Sequence, residues 1–148
     1  MKRITFIYLF FSLLLSYSDF VLAQSTAENW LTLLNKNEKV LSINTYGLES
    51  FQSDDFYLWV KEELTAPINV EGVEKEVHQT RTYYLFNKSL QRYSIVEIIY
   101  YDNIGNVLAD YKYPNNSTVP EYRYNYPIFP QSEMEIIFKK CEEFLTKG

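Results

Sequence analysis

Cysteine, histidine and glycine are scarce in this chain, which holds one cysteine, one histidine and four glycines among 148 residues. A lone cysteine excludes a disulfide within the chain, and one cysteine with one histidine excludes a self-contained Cys/His zinc site. No glycine-rich phosphate loop is present. The net charge of −5 argues against nucleic-acid binding, because phosphates need a basic surface. The 47% hydrophobic and 22% charged content predicts a folded globular chain of one domain.

Residues 1–23 have the three-part layout of a secretory signal peptide. Two basic residues precede the apolar run Ile4–Leu15, which is short for a membrane span, and small or apolar residues then lead to Ala23. We expect cleavage after Ala23, with a membrane anchor or a buried helix as the alternatives. The predicted domain is therefore 24–148, exported to the periplasm or the medium. We expect no lipid anchor, because no cysteine lies near the predicted cleavage point. No later segment is long and apolar enough to be predicted as a membrane span.

Six segments have the composition of β-strands. They are Asn29–Leu34, Lys39–Thr45, Asp54–Leu64, Arg81–Phe86, Arg92–Asp102 and Val107–Tyr113. Short polar gaps join the last three as hairpins, so an antiparallel meander is expected. Apolar residues at both parities of Arg92–Asp102 predict a central strand that is covered on both faces. Thr65–Gln79, which contains a proline and a glycine, is predicted as a long loop.

The C-terminal segment is predicted to be an amphipathic helix. Ser132 and Glu135 have the spacing of a capping box at its start. One apolar stripe then follows helical periodicity, formed by Met134, Ile137, Phe138, Cys141 and Leu145. A single helix of this kind after a run of strands has to bury its stripe on the sheet. The predicted fold is thus α+β, one antiparallel sheet of about six strands packed against one C-terminal helix.

No combination of residues predicts catalysis. His78, the single imidazole, lies in the charged stretch before Arg81 and is interpreted as a solvent-facing loop residue. Cys141 falls in the helix stripe, where a buried and inert thiol is expected rather than a nucleophile. Adjacent carboxylates such as Asp54 and Asp55 point to opposite faces of a strand and form no dyad by spacing. We predict no catalytic residue, no cofactor and no metal ligand.

Tyrosine is the one unusual feature of the composition, with 14 in the chain. Five crowd a short region around the Asn/Pro-rich loop: Tyr111, Tyr113, Tyr122, Tyr124 and Tyr126. The last three alternate, so they share one face if that segment is extended. Two interpretations stay open, a partner-binding surface of large aromatic area and ordinary cross-strand packing on the sheet.

Several motifs in the chain match a known family pattern. They are Trp59-Val60, Arg81–Asn87, Arg92–Val96, Tyr100–Asp102, Gly105–Val107, and the ending from Pro127 through Ser132 to Cys141. With these motifs the chain resembles the surface-adhesin protein E family. The resemblance implies an exported bacterial protein with a curved antiparallel sheet backed by a C-terminal helix, whose role is to bind host surface or matrix components.

One departure from the family pattern concerns the cysteines. The resemblance implies a disulfide between the terminal helix and a cysteine just before the strand that corresponds to Arg92–Asp102. Cys141 matches the helix position, but Asn87, Lys88 and Ser89 stand where the partner would be. Packing alone is therefore expected to hold the helix on the sheet.

The function predicted from these observations is that of an exported, non-catalytic binding module with a protein or host-surface partner. The alternative is a module that binds a small apolar or aromatic ligand between sheet and helix, and an enzyme is the third hypothesis. A closed apolar cavity under the helix would favour the second hypothesis, whereas a filled core with an exposed aromatic patch would favour the first. Unpaired strand edges leave a homodimer open.

Overall fold

Strands that follow one another in the chain pair side by side, and one long helix packs on the sheet they form. A computed structural model describes residues 28–114 and 117–146; the predicted signal peptide, 1–23, lies outside them. The strands are β1 (Trp30–Asn35), β2 (Lys39–Asn44), β3 (Asp55–Ile68), β4 (Val77–Asn87), β5 (Arg92–Tyr101), β6 (Val107–Lys112) and β7 (Tyr126–Pro127). Within these residues the helices are α1 (Pro120–Arg123) and α2 (Glu133–Leu145), and a 3-10 turn spans Leu48–Ser50.

The sheet is an antiparallel meander in the order β1-β2-β3-β4-β5-β6. The short strand β7 pairs with the beginning of β5, through Tyr126 and Tyr93, whereas β6 pairs with the end of β5. The predicted α+β fold, with six strands in a meander and one C-terminal helix, is confirmed. In the part of the chain that the structure describes, neither helix has the length and apolar content to span a bilayer.

The hairpin between β3 and β4 corrects the prediction of a long loop over Thr65–Gln79. β3 continues to Ile68 and β4 already begins at Val77. Pairing with β4 skips from Glu63 directly to Ile68, so Pro67 lies in an irregular stretch of this ladder, where its missing N–H is tolerated. His78 consequently lies on β4 and is half-buried, which corrects its predicted placement in a loop.

The core lies between α2 and one face of the sheet. Alternate residues of β3, namely Phe56, Leu58 and Val60, point into it and are almost fully buried. Phe56 stacks on Phe86 of β4 with ring centroids 5.0 Å apart, and Phe138 of α2 lies 6.1 Å from each of these rings. The predicted stripe of α2 faces the same core, because Ile137, Phe138 and Cys141 are buried in it.

The prediction that β5 is covered on both faces is only partly correct. β5 has paired neighbours on each edge, but Ser94 is its single fully buried residue and the others are half-buried. The reason is the position of α2, whose buried residues form one cluster with residues of β2, β3 and β4. The most buried strands are therefore the ones beneath the helix.

Polar contacts fix the beginning of α2. The hydroxyl of Ser132 accepts a hydrogen bond from the Glu135 N–H at 3.2 Å, as the capping-box spacing predicts. Glu133, in the first turn, forms an ion pair of 2.7 Å with Lys39 of β2, and Lys39 also contacts Glu62 of β3 at 2.9 Å. These charges connect the beginning of the helix to two strands.

Candidate functional site

The five tyrosines predicted as partner contacts do not form one surface. Tyr111 and Tyr113 are exposed at β6, and Tyr111 packs edge-on against Tyr100. Tyr126 lies at the opposite end of β5, 5.4 Å from the ring of Tyr93. Tyr122 is 74% exposed but belongs to α1, so the segment is not extended there, and the expected common face of Tyr122, Tyr124 and Tyr126 is absent.

Tyr124 differs from the other four because it is buried. Its hydroxyl donates a hydrogen bond of 2.5 Å to Asp55 Oδ1, and Asn87 Nδ2 donates to the same carboxylate oxygen at 2.7 Å. The second oxygen of Asp55 pairs with Arg123 at 3.0 Å. Tyr124 thus fastens the segment around α1 to the ends of β3 and β4. Asn87 belongs to this network through its side-chain amide.

A second group of aromatic side chains lies on the sheet face opposite α2, which we call the open face. Because side chains alternate along a strand, the burial of Phe56, Leu58 and Val60 directs Tyr57, Trp59 and Lys61 to the open face. Tyr83 of β4 stacks on both aromatic residues, with ring centroids 5.4 Å from Tyr57 and 4.7 Å from Trp59. All three rings are half-buried, so part of each one is accessible.

The open face also contains a cavity of about 200 Å³, which we call the aromatic pocket. It is lined by Glu28 and by Trp30, Asn44, Trp59, Arg81, Ile99 and Tyr101, which come from β1 to β5. Three aromatic rings and one aliphatic side chain make most of its walls apolar. An arginine, an amide and a carboxylate supply the polar groups, so the composition is typical of a ligand site.

Arg81 is held in place on three sides. Its guanidinium carbon lies 5.4 Å from the ring centroid of Trp30 and 5.2 Å from that of Tyr101, within the range of cation–π contact. One terminal nitrogen of Arg81 donates to Glu28 Oε1 at 2.7 Å, and the Trp30 indole N–H donates to Glu28 Oε2 at 2.8 Å. These contacts fix the orientation of the guanidinium beside the cavity.

Two residues of the aromatic pocket, Arg81 and Asn44, each have an N–H donor that contacts no acceptor among the described residues. Arg81 Nε is buried, and it meets no hydrogen-bond acceptor among the residues that the structure describes. Asn44 Oδ1 accepts from the backbone N–H groups of Asn29 and Tyr46, each at 3.0 Å, which leaves its amide nitrogen for a further contact. The accessible N–H groups of Arg81 and Asn44 in the lining favour an occupant that offers an oxygen.

The ionisation of the pocket follows from these contacts. The hydrogen bond from Trp30 and the nearby charge of Arg81 lower the pKa of Glu28, although its partial burial acts in the opposite direction. Burial raises the pKa of the Tyr101 phenol. At neutral pH the aromatic pocket therefore holds an ionised carboxylate, a guanidinium and an uncharged phenol.

The residues considered for chemistry are not part of this site. Cys141 is buried in the core, where desolvation raises the pKa of its thiol to about 12. His78 lines a shallow groove between the β3–β4 and β5–β6 turns, outside the aromatic pocket. Among the described residues, no cluster of three or more His, Cys, Asp or Glu side chains is suited to hold a metal ion.

Sequence reasoning missed the aromatic pocket because its residues are far apart in the chain. The tyrosines that are dense in the sequence from Tyr111 onward do not line it. The available signal was the alternation in β3, since a strand that buries Phe56 and Leu58 has to present Tyr57 and Trp59 on its other face.

No match to this chain is found among protein-family models, curated proteins or solved structures.

Proposed function

We propose that the chain is an exported, non-catalytic binding module that contacts a component of a host surface or its matrix through the open face of its sheet. The observation that carries the proposal is the set of accessible aromatic rings there, Tyr57, Tyr83 and Trp59 beside the aromatic pocket. Aromatic side chains give a large contact area with little loss of conformational entropy, as binding surfaces require. These rings lie outside the core cluster beneath α2.

The resemblance to the surface-adhesin protein E family supports the same proposal. That resemblance implies an antiparallel sheet backed by a C-terminal helix, and the chain has this architecture. The predicted signal peptide agrees with export. The alternative of a small ligand between sheet and helix gains no support, because Phe56, Phe86 and Phe138 pack against one another in that interface.

The experiment compares adherence of the wild type and two variants to an immobilised host extracellular-matrix preparation. We expect Trp59→Ala to weaken adherence by about tenfold or more, as truncation of a central aromatic contact does. Tyr122→Ala is the matched control, since Tyr122 is highly exposed and lies away from the aromatic pocket. No adherence of the wild type would overturn the proposal, and a loss confined to Tyr122→Ala would place the contact surface elsewhere.

Export is tested separately, by determining the first residue of the mature protein. Protein recovered from the periplasm or medium of the native cell is expected to begin at Gln24, because cleavage is predicted after Ala23. N-terminal sequencing or intact mass determines the first residue directly. Recovery of the uncleaved chain from the cytosol would contradict the exported part of the proposal.

A further inference from the structure

The size of the aromatic pocket limits what it can hold. Its volume of about 200 Å³ is smaller than the roughly 300 Å³ at which pockets for drug-sized molecules begin. The walls formed by Trp30, Trp59 and Tyr101 are flat rings. A single small ring with at least one apolar face fits this combination better than an extended peptide segment does.

The charges around the aromatic pocket are already compensated. Arg81 pairs with Glu28 at 2.7 Å, and Lys61, which lies over the Trp30 ring, pairs with Glu63 at 3.3 Å. An anionic ligand would meet the ionised Glu28, and a cationic ligand would compete with Arg81 for it. The balance of charge therefore favours an uncharged occupant.

The polar groups that line the pocket favour an occupant with oxygen atoms. Arg81 donates to Glu28 through one terminal nitrogen, and the Asn44 amide nitrogen remains for a further contact, because Asn44 Oδ1 accepts from two backbone N–H groups. A hydroxyl group can accept from an accessible N–H of Arg81 or Asn44 and donate to Glu28, because it carries both a proton and lone pairs. A purely aromatic ring would fill the space but offer these N–H groups no oxygen.

We infer that the aromatic pocket binds one uncharged sugar ring, presented as a unit of a glycan; this inference rests on the proposed function of the same open face. A sugar ring has C–H groups on its faces, which pack on the negative faces of Trp and Tyr rings, and hydroxyl groups along its edge. The face contacts the aromatic walls, and the edge meets the accessible N–H groups of Arg81 and Asn44 and the carboxylate of Glu28.

Tryptophan fluorescence tests the inference directly, because Trp30 and Trp59 are the two tryptophans of the chain and both line the pocket. The purified chain is titrated with neutral hexoses, N-acetylhexosamines and their short oligomers. We expect a saturable change in emission with at least one neutral sugar, together with weaker quenching by acrylamide. Glucuronic acid and glucosamine, which carry charge, are expected to bind about tenfold more weakly or not at all.

Two variants and one control locate the bound sugar. Arg81→Lys keeps a cation for Glu28 but lacks the planar set of guanidinium N–H donors, so it should weaken sugar binding by about tenfold or more. Trp59→Phe keeps an aromatic wall and leaves Trp30 as the reporter, so it should still bind. Tyr122→Ala should bind as the wild type does. A wild type whose emission responds to no sugar, or responds equally in Arg81→Lys, overturns the inference, and the titration of the wild type does not depend on the folding of any variant.

The matrix assay separates failure of this inference from failure of the proposed function. Before binding, one sample of matrix is oxidised with periodate, which cleaves the vicinal diols of sugars, and a second sample is digested with trypsin. We expect periodate to abolish adherence. Adherence that survives periodate but is lost after trypsin and in Trp59→Ala would overturn the sugar inference and leave a protein-binding open face. Absence of adherence to untreated matrix would overturn the proposed function.

Discussion

Single side chains at the ends of β3 and β4 hold the segment around α1 on the sheet. The Tyr124 hydroxyl, the Asn87 amide and the Arg123 guanidinium all contact the carboxylate of Asp55. Donors to a partly buried carboxylate are costly to remove, because the hydrogen bonds are made to a charged group. This network has no counterpart in local sequence spacing, since Asp55 and Tyr124 are 69 positions apart.

Tyr124→Phe tests this network. The substitution removes one hydrogen bond to a charged acceptor, so we expect the free energy of unfolding to fall by about 1.5 kcal/mol. Chemical denaturation followed by circular dichroism measures the change. Tyr122→Phe is the control and should leave the stability unchanged, because Tyr122 is 74% exposed. Equal stability of Tyr124→Phe and the wild type would show that Asn87 and Arg123 satisfy Asp55 without the phenol.

At the residue scale, closeness in the chain does not determine which side chains meet. The five tyrosines between Tyr111 and Tyr126 are close in sequence, but the turn at α1 and the pairing of β7 place them at different positions. The aromatic pocket instead gathers Trp30, Arg81 and Tyr101 from three strands. Such a grouping depends on strand order and register, which hydrophobic alternation does not determine.

At the scale of elements, the helix and its stripe were predictable because a 3.6-residue period is a local property. Ser132 and Glu135 place the start of α2, and the buried side of the helix follows from the spacing of Ile137, Phe138 and Cys141. The β3–β4 hairpin was less predictable. Pro67 is typical of loops, and its accommodation at an irregularity of the ladder depends on pairing with β4.

Phe138→Ala tests how much α2 contributes to the core. The Phe138 ring is 97% removed from solvent and packs near Phe56 and Phe86, so its loss creates a cavity that costs about 3–5 kcal/mol of unfolding free energy. Ile136→Ala, on the same helix at 40% exposure, is the matched control and should cost far less. The midpoints of urea denaturation compare the two. Similar losses in both variants would mean that α2 does not depend on its buried stripe.

The ion pair between Glu133 and Lys39 makes the attachment of α2 sensitive to acid. The hydrogen bond from Lys39 lowers the pKa of Glu133, although partial burial opposes this shift. Its stabilising contribution is therefore present above the ordinary glutamate pKa and is lost as the pH falls through the lowered value.

Glu133→Gln is expected to lower stability at neutral pH by less than about 1 kcal/mol, the range of partly exposed ion pairs. The difference from the wild type should disappear in acid, below the lowered pKa of Glu133. Thermal denaturation of both proteins across the acid range measures it. A difference that persists unchanged in acid would assign the effect to packing or to helix capping rather than to the charge of Glu133.

At the scale of the whole molecule, the two faces of the sheet differ in what they contact. One face and α2 enclose the hydrophobic core, and the open face carries the aromatic pocket. The helix has no disulfide to the sheet, since Cys141 is free and buried. Buried apolar contacts and the charges at Lys39 and Glu133 hold it instead.

This arrangement predicts that helix and sheet unfold together, because neither can bury its apolar face without the other. Three probes test it along one denaturant series: fluorescence of Trp30 and Trp59 for the open face, far-ultraviolet circular dichroism for the backbone, and iodoacetamide labelling of Cys141 for α2. Burial raises the Cys141 pKa to about 12, so labelling requires exposure of the helix stripe. We expect the three transitions to coincide. Labelling of Cys141 at denaturant concentrations where the fluorescence is still native would show that α2 separates from an intact sheet.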